Sequence, residues 1–138
     1  MEEQKDVRSY NVGGSDYSKH KYQVWDIVKM YGLNFWEGNM LKYLLRKKEG
    51  NDRLMDLRKI EHYLDYYATF ERREVTDIDE LVDIEELLSD YDTNIFEDSL
   101  IGMIIALTIT YDANARNLMI AQMKNVLNDL MIYESMKR

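Results

Sequence analysis

Apolar residues recur along this chain at three- and four-residue spacings, the period of helices that bury one face. From His20 to Tyr31, the residues His20, Val24, Ile27, Val28 and Tyr31 share one arc, and Gly32 supplies a left-handed stop. A second helix is predicted from Phe35 or Trp36, behind Asn34 as N-cap, to about Lys48. Its wheel divides cleanly: Met40, Leu41, Leu44 and Leu45 fill one arc, and Asn39, Lys42, Tyr43 and Arg46 fill the other. Asn51 or Asp52 caps a third helix, roughly Arg53 to Arg73, with Leu57, Ile60, Tyr63, Leu64 and Tyr67 inward and Asp56 inside the same arc. A fourth starts at Thr76 with an acidic first turn and runs to about Ser89. Beyond a turn at Tyr91 to Asn94, Ile95 to Thr110 and Ala113 to Met136 form a C-terminal pair; in the latter, Leu118, Met119, Met123, Val126, Leu127, Leu130 and Tyr133 are placed inward. The run LIGMIIALTIT alone would suit a strand, but the sequence offers no partner strand, so a buried helix is predicted.

The expected fold is all-α: a bundle of five or six helices with an N-terminal hairpin as its core and a long C-terminal pair. The complete absence of proline agrees, because nothing interrupts the helical stretches. A chain of 138 residues with 46% apolar content has room for one real core. Within that domain, residues 1–17 read as a flexible polar arm, 18–75 as the module that carries chemistry, and 76–138 as an acidic helix followed by the C-terminal pair. That pair holds more apolar surface than one small bundle needs. It either wraps the hairpin or buries itself against a second copy, and we expect a homo-oligomer.

Charge narrows the partners. Of the formal −8, residues 71–98 contribute 12 acidic against 2 basic side chains, whereas Lys42 to Lys59 holds 7 basic against 3 acidic ones. A local basic patch in an acidic protein suits a small phosphate ligand better than duplex nucleic acid. The acidic 71–98 segment is a candidate surface for a protein partner. With no cysteine there are no disulfides, thiolate nucleophiles or cysteine-held metals. The N-terminus lacks a basic-then-apolar leader, and the longest uncharged run, Ser99 to Tyr111, is 13 residues, short of a bilayer. The expectation is a cytoplasmic protein without a membrane segment.

The candidate site grows from the polar face of the second helix. Lys42 and Arg46 are placed to neutralise phosphate, Asn39 and Tyr43 to contact the rest of a ligand, and Lys47 and Lys59 to add charge from the connection and the third helix. Asp56, costly on an apolar arc unless paired, is expected to meet Lys42 or Arg46; its other reading is an exposed first-turn acid. Gly38 marks close approach either of a ligand to a helix N-terminus or of a neighbouring helix. Trp36 is core, lid or base-stacking platform. His20 is either a packed residue bonded to backbone or a proton-transfer group. The acids Asp83, Glu85 and Glu86 lack the paired spacing of a two-helix metal site and read as a solvated face, so no protein metal site is predicted.

The segment HKYQVWDIVKMYGLNFWEGNMLKYLLRKK, followed by DLRKIEHYL, resembles a family of small phage proteins that includes a nucleotide kinase lacking the usual phosphate-binding loop. The resemblance rests on His20 and Tyr22, then Gly32, Leu33 and Phe35, then Gly38 and Asn39, then Lys42, Tyr43, Leu44 and Arg46, and finally Asp56, Leu57, Lys59, Tyr63 and Leu64. It covers about residues 18–70. Lys47, Lys48 and Ile60 stand where relatives carry alanine–glycine and alanine, and nothing beyond Val75 belongs to the pattern. What the resemblance implies is nucleotide handling, with phosphoryl transfer between (deoxy)nucleotides as the reaction. Lys42, Arg46 and Lys59 would neutralise the transferred group, Asp56 or His20 would orient or deprotonate the acceptor, and Mg2+ would accompany the nucleotide. A phage protein that sequesters a host defence nucleotide without turnover, and an inhibitor acting on a host protein through residues 71–98, are the rival functions.

Overall fold

A computed structural model describes residues 20–47, 52–70, 73 and 83–137 of the chain. Among them are six helices and no strand: α1 (Val24–Tyr31), α2 (Phe35–Leu45), α3 (Arg53–Tyr67), α4 (Ile84–Ser89), α5 (Ile95–Leu107) and α6 (Ala113–Met136). The expected arm at 1–17, Lys48 and the segment from Thr76 to Val82 lie outside the described residues.

Five of the six described helices, α2 to α6, start where a side chain satisfies an orphan amide. Asn34 accepts from the Glu37 amide at 3.0 Å while the Glu37 carboxylate accepts from the Asn34 amide at 3.0 Å. Asn94 and Glu97 repeat that reciprocal box at 2.9 and 3.0 Å. Asp52, Asp83 and Asp112 cap α3, α4 and α6. Gly32 ends α1 at φ 64°, the left-handed geometry only glycine takes without strain.

Several expected boundaries move for local reasons. Residues 20–22 do not begin α1: the Asp90 carboxylate holds the Lys21 and Tyr22 amides at 3.2 and 2.8 Å, and Gln23 is the extended N-cap. α3 stops at Tyr67, short of Arg73, with Ala68 as C-cap. Of the expected fourth helix, the described part begins at Ile84, behind Asp83 as an N-cap with extended ψ. On α6 the buried stripe is Arg116, Ile120, Met123, Leu127 and Leu130, a 4-3-4-3 seam. Leu118, two positions off that seam, is exposed, as is Tyr133.

The six helices are two copies of one arrangement. Val24, Phe35 and Arg53 open α1, α2 and α3; Ile84, Ile95 and Ala113 open α4, α5 and α6, each 60 residues later. Tyr31, Asn34, Glu37, Asp52 and Ile60 reappear as Tyr91, Asn94, Glu97, Asp112 and Ile120. Burial follows: Met40, Leu41 and Leu44 correspond to Leu100, Ile101 and Ile104, all fully enclosed. Two of the three counterpart pairs pack together, α2 on α5 and α3 on α6. Both pairs are antiparallel. Lys47, past the end of α2, reaches Glu97 in the first turn of α5; Arg116 near the start of α6 donates to the Phe70 carbonyl past the end of α3, and Lys124 pairs with Asp65. Antiparallel contact between counterparts is what a two-fold axis produces and a stacked repeat does not. The C-terminal pair thus covers the hairpin, and much of the apolar surplus that pointed to a second copy is buried within one chain. Leu118, Ile132 and Met136 stay exposed on α6.

Two carboxylates lie wholly inside. Glu37 accepts from Arg73 Nε at 2.6 Å, Arg73 Nη2 at 2.7 Å and the Tyr67 hydroxyl at 2.7 Å. Burial first, and the neighbouring Glu37 charge second, push the Tyr67 phenol well above its usual range. Glu97 accepts from Lys47 at 2.8 Å and from Arg53 Nη2. A buried carboxylate so matched is tolerated; an unmatched one is not.

Candidate anion site on the α2–α3 face

Because Met40, Leu41, Leu44 and Leu45 take the core side of α2, Tyr43 and its polar neighbours face outward beside α3. From α3, Asp56, Lys59 and Tyr63 meet them, one and two turns apart on a single face. The Tyr43 ring is the hub. Lys42 Nζ lies 5.4 Å from its centroid, Lys59 Nζ 5.1 Å and the Arg46 guanidinium carbon 5.2 Å. Asp56, only 3% exposed, is the carboxylate of the group: Arg46 Nη2 is 3.3 Å and Lys59 Nζ 3.8 Å from its Oδ1. The expected pairing of Asp56 is thus with Arg46, and its reading as a frayed, exposed acid fails. Three cations against one carboxylate leave an excess of positive charge on a partly exposed face. Arg46 Nε is buried without a partner among the described residues.

A ledge of rings continues from this hub. Tyr63 stacks beside Tyr43 at 6.1 Å and meets Trp36 at 5.9 Å; Trp36 then contacts Tyr66 at 4.9 Å and Phe70 at 5.2 Å. Phe35, on its outer edge 5.1 Å from Trp36, is 62% exposed. Of these rings, only Trp36 and Tyr43 were expected at a site. Tyr63 and Tyr66 on α3 and Phe70 just past its end announce themselves by a three- and four-residue spacing that reads equally as core.

The other candidates lie elsewhere or are engaged. His20 is not at the Tyr43 group: its ring stacks on Tyr91 at 4.0 Å and 15°, and Nδ1 donates to the Asp90 carbonyl at 3.1 Å. It packs against Tyr91 with a backbone hydrogen bond, the contacts of a packed histidine. Lys47 is bound to Glu97 and to the Asp92 carbonyl. Arg53 is likewise turned to Glu97 and to the carbonyls of Tyr43 and Leu44, so the described cations flanking the α2–α3 connection, Lys47 and Arg53, are both engaged. Asn39 donates to the Phe35 carbonyl of its own helix at 2.7 Å. Gly38 lies close against α1: a Cβ there would sit 3.1 Å from Val28 Cγ2. Gly38→Val is accordingly expected to cost about 1–3 kcal/mol by overpacking while leaving anion binding intact, with Val28→Ala restoring part of the stability; urea melts and a pyrophosphate titration of the same samples check both halves.

Asp83, Glu85 and Glu86 form no metal cluster, and no group of three or more potential ligands occurs among the described residues. Glu86 instead accepts from the Tyr22 hydroxyl at 2.7 Å and Lys21 at 3.1 Å, which hold its carboxyl below the usual range. No described helix is long and apolar enough to cross a membrane. Comparison with family models, curated proteins and solved structures finds no match.

Proposed function

We propose that this protein binds a nucleotide on the α2–α3 face, its phosphates against Lys42, Arg46 and Lys59 and its base on the aromatic ledge beside Tyr43. One observation carries the reading: three cationic side chains converge on one tyrosine ring while, among the described residues, a single carboxylate pairs with any of them. The chemistry of such a face is charge neutralisation beside a π surface, which is what a nucleoside polyphosphate presents. The reaction class that the sequence resemblance over residues 18–70 implies is phosphoryl transfer between (deoxy)nucleotides. In that reaction the cations would offset charge on the transferred group, and Asp56 would orient the acceptor hydroxyl or phosphate.

A second reading, binding without turnover, draws on the state of Asp56. Its carboxylate faces both Arg46 and Lys59, so it already braces the cations and is less available as a base. The test is a panel of nucleoside mono-, di- and triphosphates scored for thermal shift and for product. Triphosphates are expected to raise the melting temperature most, in proportion to occupancy and less at high salt. Product formation selects the transferase, and shift without product selects the sequestering protein. A flat thermal response to every nucleotide sinks both.

A further inference from the structure

The two Asn-x-x-Glu boxes are two-fold mates, yet their carboxylates are used differently. Glu37 is matched within its own half, by Arg73 and Tyr67. Glu97 is matched from across the axis, by Lys47 just after α2 and Arg53 at the start of α3. Arg53 also donates from Nη1 to the Tyr43 carbonyl at 2.6 Å and from Nη2 to the Leu44 carbonyl at 2.9 Å. One buried carboxylate of the second half thereby fixes where α2 ends and α3 begins, the point at which Tyr43, Arg46 and Asp56 meet.

The second half has no such site of its own. Sixty residues beyond Lys42, Tyr43, Arg46, Asp56 and Lys59 stand Gly102, Met103, Ala106, Arg116 and Met119. The frame is repeated and the ring with its cations is not. We infer that Glu97 is a positioning residue for the anion site on α2–α3, supplied by a half that keeps the fold of the first and binds no ligand itself, so that each chain takes one ligand. This rests on the nucleotide-binding reading above.

Glu97→Gln isolates the charge. Glutamine still closes the box with Asn94, so α5 keeps its cap while Lys47 and Arg53 lose their anion. Two measurements on the full chain decide the matter, with Leu127→Ala, a core cavity on α6 far from these contacts in sequence, as the control for general loss of stability. Amide exchange at Arg46, whose N–H bonds the Lys42 carbonyl, is expected to rise in Glu97→Gln well beyond its rise in Leu127→Ala. Pyrophosphate, titrated calorimetrically, is expected to bind the wild type at one per chain and Glu97→Gln about tenfold or more weakly, because small misplacement of converging groups costs affinity steeply. Leu127→Ala should bind as the wild type does. Exchange and affinity no more altered in Glu97→Gln than in Leu127→Ala would overturn the positioning role, and two pyrophosphates per chain would overturn the single site. If the wild type bound none, the nucleotide-binding reading itself would fall, and the inference with it, an outcome distinct from wild-type binding that Glu97→Gln leaves intact.

Discussion

Arg73→Ala is expected to lower folding stability by about 3–5 kcal/mol, because it strips a fully buried carboxylate of its cation. Glu37 has no exposed surface, and Arg73 grips it through two nitrogens while also donating to the Gly32 carbonyl. Alanine would leave Glu37 with the Tyr67 hydroxyl and the Asn34 amide, two neutral donors, in place of a bidentate guanidinium. Urea unfolding should show a much lower midpoint with an unchanged slope. Replacing both partners, Glu37→Met with Arg73→Met, should recover only part of the loss. It removes the uncompensated charge, but it also leaves the Asn34 amide and the Tyr67 hydroxyl without their acceptor and opens the cap of α2. A loss below about 1 kcal/mol in Arg73→Ala would mean that Glu37 is served by water instead.

Such burial explains what the sequence could and could not disclose. The helices were legible because periodicity and caps are local: Phe35 and Arg53 begin helices directly behind the predicted caps Asn34 and Asp52, and Ile95 and Ala113 begin helices where the apolar pattern of the C-terminal pair places them. The outward arc of α2 and the inward Asp56 were legible for the same reason, and they specified most of the Tyr43 group. What stayed hidden depends on contacts far apart in the chain. Lys47 and Arg53 looked like members of a cationic cluster until Glu97, 50 and 44 residues away, claimed them. His20 looked poised beside the same helix pair, and Asp90 and Tyr91 hold it instead. A signal for the buried glutamates did exist: Asn34 and Asn94 each precede an aromatic residue and then glutamate, in two stretches that both begin with tyrosine three residues earlier. Compared with each other, YGLNFWE and YDTNIFE disclose the duplicated half and its matched anchors.

The double variant Lys42→Ala, Arg46→Ala is expected to weaken triphosphate binding by about 100-fold or more, since each charge-assisted contact to phosphate contributes roughly 1.5–3 kcal/mol. The fold should survive, because Lys42 has no carboxylate partner among the described residues and Asp56, on losing Arg46, keeps Lys59 as a cation partner. That residual carboxylate is the informative one. Asp56→Asn keeps an oxygen that can accept from Arg46 while removing the negative charge that faces Arg46 and Lys59. For a protein that only binds, the excess charge grows and triphosphate affinity should rise several-fold, with a steeper dependence on salt. For a transferase in which Asp56 orients or deprotonates the acceptor, affinity should rise in the same way while product formation collapses by roughly 100-fold or more. Affinity and turnover measured on this one variant therefore separate the brace from the catalyst: a turnover rate that follows occupancy assigns Asp56 to holding Arg46 and Lys59 in place, and a rate that collapses at full occupancy places its carboxylate on the acceptor.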